Sequence, residues 1–288
     1  MREIKVYTAN ISRDGEVRHE FLSFYQKISD DDKLIEDVTW SARDEIESKT
    51  LYEYDSKGRM IKEMNYYDEE EFSDGRELAY NDQDQLELVR IKYADGSETL
   101  QKYERQPNFS RISYYTEDNE LEYTEERKMD ENNKLLEFTK YGPGNEPELR
   151  VNFIYDDYDR LSESRENNIS EDFRSVTRLE YDDRNNPVKE VAYTEKGNVM
   201  SSRFSSYNEK DELIEEVVND YTISYVINEQ GERVERKITN QSGQLEELTT
   251  YIYNEEGRLI EERFYKSNDL NAQDIFKTAY LRKIYEYI

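Results

Sequence analysis

The chain has 288 residues with a formal net charge of -28, 38% charged side chains and no cysteine. That composition excludes disulfides and thiolate chemistry, and an acid excess of this size repels nucleic acid and anionic lipid while favouring basic partners. Leu, Ile, Val and Phe make up only about a fifth of the sequence, which approaches the range of unfolded chains. The 26 tyrosines offset this, because each buries a large ring while its hydroxyl stays at the water boundary.

In chain order, Ile4 and Val6 open a strand, Asp14-Gly15 makes a turn, and Val17 to Phe24 returns. From there a single stretch recurs. Its anchors fall at Ile28, Tyr54, Tyr80, Tyr103, Met129, Tyr155, Tyr181, Tyr207, Ile227 and Tyr253, with a spacing of 26 at seven of nine intervals. The next residue is most often Asp or Asn, as at Asp55, Asn81, Asp130, Asp156, Asp182, Asn208, Asn228 and Asn254. Four residues past the anchor stand Asp32, Gly58, Asp84, Asn133, Asp159, Asn185, Asp211, Gly231 and Gly257, with Pro107 as the exception. The first position caps its own backbone and the second tolerates a left-handed conformation, so each repeat predicts a turn there. The two short intervals, Tyr80 to Tyr103 and Tyr207 to Ile227, read as trimmed hairpins.

Period-2 runs precede the turns, as in Val151-x-Phe153-x-Tyr155 and Ile223-x-Tyr225-x-Ile227, and aliphatic pairs such as Leu135-Leu136 and Leu259-Ile260 follow them. Alternation of this kind is a strand signal. Second turns are expected at Asp95-Gly96, Gly142-Pro143-Gly144, Asn167-Asn168, Lys196-Gly197, Ser242-Gly243 and Asn268-Asp269. Two turns in about 26 residues leave room for two strands and no helix. At the C-terminus Ile275, Phe276, Ala279, Tyr280 and Ile284 have near-helical spacing, yet Phe276-x-Thr278-x-Tyr280 alternates; a closing strand is the reading adopted.

The expectation is an all-β antiparallel meander of about ten 26-residue β-hairpin repeats in one domain over 1-288. It comprises an N-terminal half repeat (1-27), the repeats (28-278) and a C-terminal cap (279-288). Strands stacked ~4.8 Å apart would give a sheet about 90–100 Å along its edge, and accumulated twist predicts one long twisted or spiralling open sheet, a quasi-one-dimensional repeat protein.

Tyr54-Asp55-Ser56-Lys57-Gly58-Arg59-Met60, Tyr253-Asn254-Glu255-Glu256-Gly257-Arg258-Leu259 and Tyr155-Asp156-Asp157-Tyr158-Asp159-Arg160-Leu161 resemble the YD repeat of the Rhs family, Tyr-Asp-x-x-Gly-Arg-Leu. The resemblance covers nearly the whole chain, although only two copies keep Gly followed by Arg. It implies β-hairpins wound into a shell, which in that family often encloses a toxin; no separate toxin or protease segment is visible here. The pattern is also similar to small bacterial YD- or MORN-like repeat proteins, some considered antitoxins or immunity proteins.

Catalytic chemistry finds little support. His19 is the single histidine and sits in an alternating run, so neither a Cys–His pair nor a His-rich metal site can be assembled. No cofactor is expected. The glycines are spaced at turns rather than clustered for phosphate. Asp30-Asp31-Asp32 and Asn81-Asp82-Gln83-Asp84 occupy the turn offsets and match no calcium-loop spacing. Arg59, Arg160 and Arg258 are expected to pair with neighbouring carboxylates along the stack.

No run approaches 18 apolar residues, and Met1-Arg2-Glu3-Ile4-Lys5 holds no leader core, so a cytoplasmic protein without membrane or direct nucleic-acid contact is expected. The functional expectation is a non-enzymatic scaffold binding a basic protein, such as a toxin or effector, through Trp40, Glu215, Glu216, Glu246, Glu247, Glu261 and Glu262. Alternatives are a nucleic-acid-mimicking inhibitor and a carbohydrate-binding module using tyrosine faces.

Overall fold

The computed structural model describes residues 1–12, 14–266 and 279–288. In chain order the strands are β1 (Arg2–Ile11), β2 (Val17–Ile28), β3 (Leu34–Trp40), β4 (Ile46–Tyr54), β5 (Met60–Tyr66), β6 (Phe72–Tyr80), β7 (Leu86–Tyr93) and β8 (Glu98–Gln106). Then come β9 (Phe109–Tyr115), β10 (Leu121–Met129), β11 (Leu135–Tyr141), β12 (Pro147–Tyr155), β13 (Leu161–Asn168), β14 (Phe173–Tyr181), β15 (Pro187–Thr194) and β16 (Val199–Tyr207). The last six are β17 (Leu213–Val218), β18 (Tyr221–Ile227), β19 (Arg233–Asn240), β20 (Leu245–Tyr253), β21 (Leu259–Lys266) and β22 (Leu281–Tyr287).

Each strand pairs antiparallel with the next, and β22 also pairs with β1 through Ile4↔Tyr287 to Asn10↔Leu281. Glu3 and Ile288 extend this seam by exchanging backbone bonds of 2.8 and 2.9 Å. The molecule is therefore a closed 22-stranded up-and-down barrel. This corrects the expected open, spiralling sheet, while the all-β meander stands. The segment read as a C-terminal cap supplies the closing strand β22. The Phe276-x-Thr278 alternation and the Asn268-Asp269 turn lie outside the described residues.

Closure has a local cause repeated around the ring. In turn after turn the Asp or Asn past the anchor makes a type I turn closed by a left-handed residue, as in Gly58 N–H to Asp55 O (2.9 Å) and Asp55 N–H to Arg59 O (2.9 Å). The left-handed positions include Asp32, Gly58, Asp84, Asn133, Asp159, Asn185, Asp211, Gly231 and Gly257, as the spacing predicts. Each such turn leaves a bulge at the anchor, for example at Glu53/Tyr54, Ile154/Tyr155, Glu180/Tyr181 and Ile252/Tyr253. Bulges bend the strand and increase its twist. A nearly constant strand length gives every hairpin a similar increment of bend, and the increments sum to a ring that leaves no edge exposed.

Two local expectations shift. Gln106, not Tyr103, ends β8, because Pro107-Asn108 forms a two-residue turn with Asn108 at φ 60°; the shortening is in that turn. Asn167 and Asn168 end strand β13, and the turn follows them, with Asp172 left-handed at φ 48°.

The wall is one sheet thick. The accessible surface is 18543 Å², against about 13,000 Å² for a compact protein of this mass. Among the described residues no side-chain hydrogen bond or ion pair crosses the barrel, and strands contact only their sheet neighbours. Fully enclosed positions are small, such as Val6, Ala9, Val38, Val89, Thr139 and Val191. For a circular section, 22 strands tilted by ~40° enclose a ring about 40 Å across. The interior is hollow.

Candidate binding surfaces

Alternation gives the wall two faces. One carries tyrosines: Tyr52, Tyr103, Tyr225, Tyr251 and Tyr285 share it by register. Burial is the leading cause that pushes all five phenols above their ordinary value, and it raises Tyr114 to about 12. Side chains converge on the concave side of a cylinder and diverge on the convex side, so the drier tyrosine face lines the lumen. Three of its phenols cap carboxylates on the neighbouring strand: Tyr52 donates to Asp37 (2.8 Å), Tyr225 to Glu216 (2.9 Å) and Tyr285 to Glu262 (2.8 Å). Tyr114 and Tyr123 stack at 4.1 Å.

The outer face is a ladder of balanced charge. Glu77 meets Lys92 at 2.7 Å, Glu137 meets Lys128 at 2.7 Å, and Glu126 meets Arg111 at 3.0 Å. Pairs this exposed are individually weak. Neither face presents the apolar band that a spanning barrel turns to lipid, since Lys62, Glu77 and Arg90 stand mid-strand on one and Glu63, Arg76 and Arg127 on the other. No helix among the described residues is long and apolar enough to cross a membrane.

At the anchor rim, where even strands turn into odd ones, each motif residue has a task. The anchor tyrosine donates to a backbone carbonyl twenty residues earlier: Tyr54 to Leu34, Tyr155 to Leu135 and Tyr253 to Arg233 at 2.9 Å, and Tyr181 to Leu161 at 2.8 Å. Asp156 accepts from the backbone of Tyr158 and Arg160, both at 2.9 Å. The basic residue then reaches the left-handed residue of the next repeat, Arg59 to Asp84 at 2.6 Å and Arg160 to Asn185 at 2.8 Å. Both guanidiniums also lie over the next anchor ring, at 4.4 Å (Tyr80) and 4.5 Å (Tyr181). Arg258 pairs within its own turn, with Glu256 at 3.4 Å, and its guanidinium lies 5.6 Å from the Tyr287 ring. We expect Tyr155→Phe, which keeps the ring but leaves the Leu135 carbonyl without its partner, to cost about 1 kcal/mol. Thermal unfolding checks this.

The acid excess collects in the turns. At the anchor rim it is largely engaged: Asp30 meets the Met1 amino group, Asp32 meets Arg2, and Lys57 and Lys134 reach Asp84 and Asp159. At the far rim, where odd strands turn into even ones, Arg43 and Lys196 are the bases of the described turns. Acids there include Asp44, Asp68 to Glu71, Glu117, Asp118, Glu120, Glu171 and Asp172. Asp68 caps the backbone of Glu70 and Glu71. Among the described residues Glu69, Glu70, Glu117, Asp118 and Glu120 have no side-chain partner.

The sequence-selected residues are dispersed. Glu215 and Glu261 point outward, and Glu216, Glu247 and Glu262 line the lumen. Glu261 is held by Arg263 at 2.9 Å, and Glu246 accepts from Asn240 at 2.6 Å. Trp40 is half-buried at the far rim, where it borders a cavity of about 610 Å³ with Asp44, Asp68, Glu69 and Glu70. Sequence reading missed that far-rim acids surround the tryptophan; the signal was the turn composition itself. His19 is exposed, with Nε2 2.7 Å from the Ala42 carbonyl.

No family model matches the sequence, and no curated protein matches it. Among solved structures the chain is similar to TcdB2-TccC3, at 10% identity and a TM-score of 0.36 over 93% of this chain and 19% of that one. It is similar to TcdB2-TccC3-Cdc42 at 13% identity and TM-score 0.33, over 93% and 18%. A porin-like protein from Bacteroides uniformis gives 9% and 0.32, over 99% and 97%. The chain thus spans about a fifth of the length of the TcdB2-TccC3 chains. With TM-scores below 0.5, partner and activity have to be read from this chain's own residues, and what those residues form is an all-β hairpin-repeat barrel.

Proposed function

We propose that the chain is a non-enzymatic, Rhs-like YD-repeat scaffold that binds a basic partner protein at the acidic far rim of its barrel. The Rhs-like part is supported by the motif, in which the Tyr, the Asp and the basic residue each hold the turn or its neighbour in place. The binding part is carried by one observation: anchor-rim acids are largely spent on turns and ion pairs, whereas far-rim acids face solvent with few bases among them. Successive far-rim turns are two strands, about 10 Å, apart, roughly one Debye length, so the fields of neighbouring turns add and steer a cationic surface. Trp40, bordered by Asp44, Asp68, Glu69 and Glu70, offers an apolar contact beside part of this rim.

Reversing Glu69, Glu70, Glu117, Asp118 and Glu120 to Lys tests this. Association with a captured basic partner should slow by about tenfold or more at low salt, and the difference should shrink as salt rises. Reversing Glu215 and Glu261 on the strands should matter less. Unchanged association after the far-rim reversal would place the partner elsewhere.

A further inference from the structure

On the outer face of β13 to β15 three arginines of the charge ladder border a cavity. Here Arg165, Arg174 and Arg178 converge on a space of about 600 Å³ whose lining also includes Asn152, Asn167, Tyr193, Glu166 and Glu195. A single carboxylate serves two of these arginines. Glu163 accepts from Arg165 Nε at 2.5 Å through one oxygen and from Arg178 Nε at 2.9 Å through the other. The pair of guanidiniums holds the Glu163 carboxyl below the usual range, Arg178 contributing most. Glu163 is 15% exposed, while the two arginines are 61% and 63% exposed.

This arrangement fixes the two forks by Nε and leaves their Nη groups without a hydrogen bond among the described residues. Those Nη groups are the donors that grip a carboxylate or phosphate in two-pronged fashion. Arg174 is tied down separately, by Asn167 at 3.2 Å and Glu195 at 2.8 Å. Arg150 stands on the same face opposite Asn167; its buried Nε makes no hydrogen bond and lies 3.9 Å from the Glu137 carboxylate. With Arg174 paired to Glu195, the two remaining forks share the single carboxylate of Glu163, which leaves a local positive excess at this cavity in a chain of net charge -28.

The rest of the lining sets the ligand's body. The volume suits a small molecule rather than a polymer. The Tyr193 ring lies 5.7 Å from the Arg178 guanidinium and gives a flat apolar surface beside it. The Asn152 amide and the Tyr193 hydroxyl are polar groups without a side-chain partner among the described residues, which suits hydroxyl groups. We propose that this cavity binds a small acidic sugar, its phosphate or carboxylate gripped by Arg165 and Arg178 and its hydroxyls met by Asn152 and Tyr193. The site is separate from the far-rim partner surface, so either reading can fail without the other.

Calorimetric titration of the whole chain with glucose 6-phosphate, glucuronate, glucose and inorganic phosphate tests the proposal. Both acidic sugars should saturate, glucose should not bind, and inorganic phosphate should bind about tenfold more weakly than the sugar phosphate. Arg165→Met with Arg178→Met should abolish saturation, whereas Arg263→Met on the same face should leave it unchanged. Arg165→Lys with Arg178→Lys keeps the charge and removes the forks, so it should weaken binding about tenfold without touching the fold. Failure of both acidic sugars to bind at about 10 mM would overturn the site. Retained binding in the double Met variant would do the same, and equal affinity for inorganic phosphate would overturn the sugar assignment.

Discussion

Ile284→Pro should destabilise the protein by about 3 kcal/mol or more, the penalty for proline inside a central strand. The reason lies at the seam. Glu3 and Ile288 exchange both backbone bonds, and antiparallel alternation then directs the N–H groups of Glu286, Ile284 and Arg282 toward β1. Register places Ile284 opposite Tyr7. In a closed barrel the proline removes a ladder bond and crowds Tyr7; in an open sheet the same N–H would face water and proline would be tolerated. For 288 residues a 3 kcal/mol loss lowers the melting midpoint by about 5 °C. A melting curve unchanged by Ile284→Pro would leave β22 as an edge strand.

The second large effect is alkaline. Tyr52, Tyr103, Tyr114, Tyr225, Tyr251 and Tyr285 all have phenols raised by burial, and Tyr52, Tyr225 and Tyr285 also donate to carboxylates that would repel a phenolate. A group whose folded value lies above its unfolded value stabilises the fold fully below the unfolded value, near pH 10 for tyrosine, and that contribution is lost as pH rises through the folded value. Stability should therefore be insensitive to these groups up to about pH 10 and fall steeply through about pH 12. Tyrosinate absorbance should rise in two stages, the second coinciding with loss of the β-sheet signal. A single smooth titration near pH 10, complete before unfolding, would put the lumenal rings in water.

The local devices were legible in the sequence because each depends on a few adjacent residues. Asp or Asn past the anchor and a left-handed residue three further on specify a turn whatever surrounds them. Gly58 and Asp159 took up that conformation where the spacing placed them. The exception was also legible: Pro107-Asn108 matches the central pair of a tight two-residue turn, and giving weight to it would have moved the anchor from Tyr103 to Gln106. Closure was not legible. It requires β1 to meet a strand some 280 residues away, and no local pattern records the sum of the bends between them.

The acidic residues teach a different lesson. Glu215 and Glu216, Glu246 and Glu247, and Glu261 and Glu262 are neighbours in sequence, and neighbours on a strand point to opposite faces. They could not form one surface, and period-2 reasoning applied to the charges would have said so. The capping of Glu216 by Tyr225 and of Glu262 by Tyr285 depends on diagonal register between strands, which composition does not carry. The acidic rim emerges only once the turns are sorted by the end of the barrel at which they lie.

The closed ring is tested most directly by joining its ends. The chain has no cysteine, so Thr8→Cys with Lys283→Cys introduces one possible disulfide. These two residues face each other across the seam, at a pair between hydrogen-bonded ones where side chains approach most closely. The barrel predicts that mild oxidation of the folded protein forms an intramolecular disulfide in nearly every molecule, seen as loss of two hydrogens in the intact mass and of both free thiols. In an open sheet the two ends would stand up to about 100 Å apart, and thiols that remain free, or that link only one molecule to another, would contradict closure.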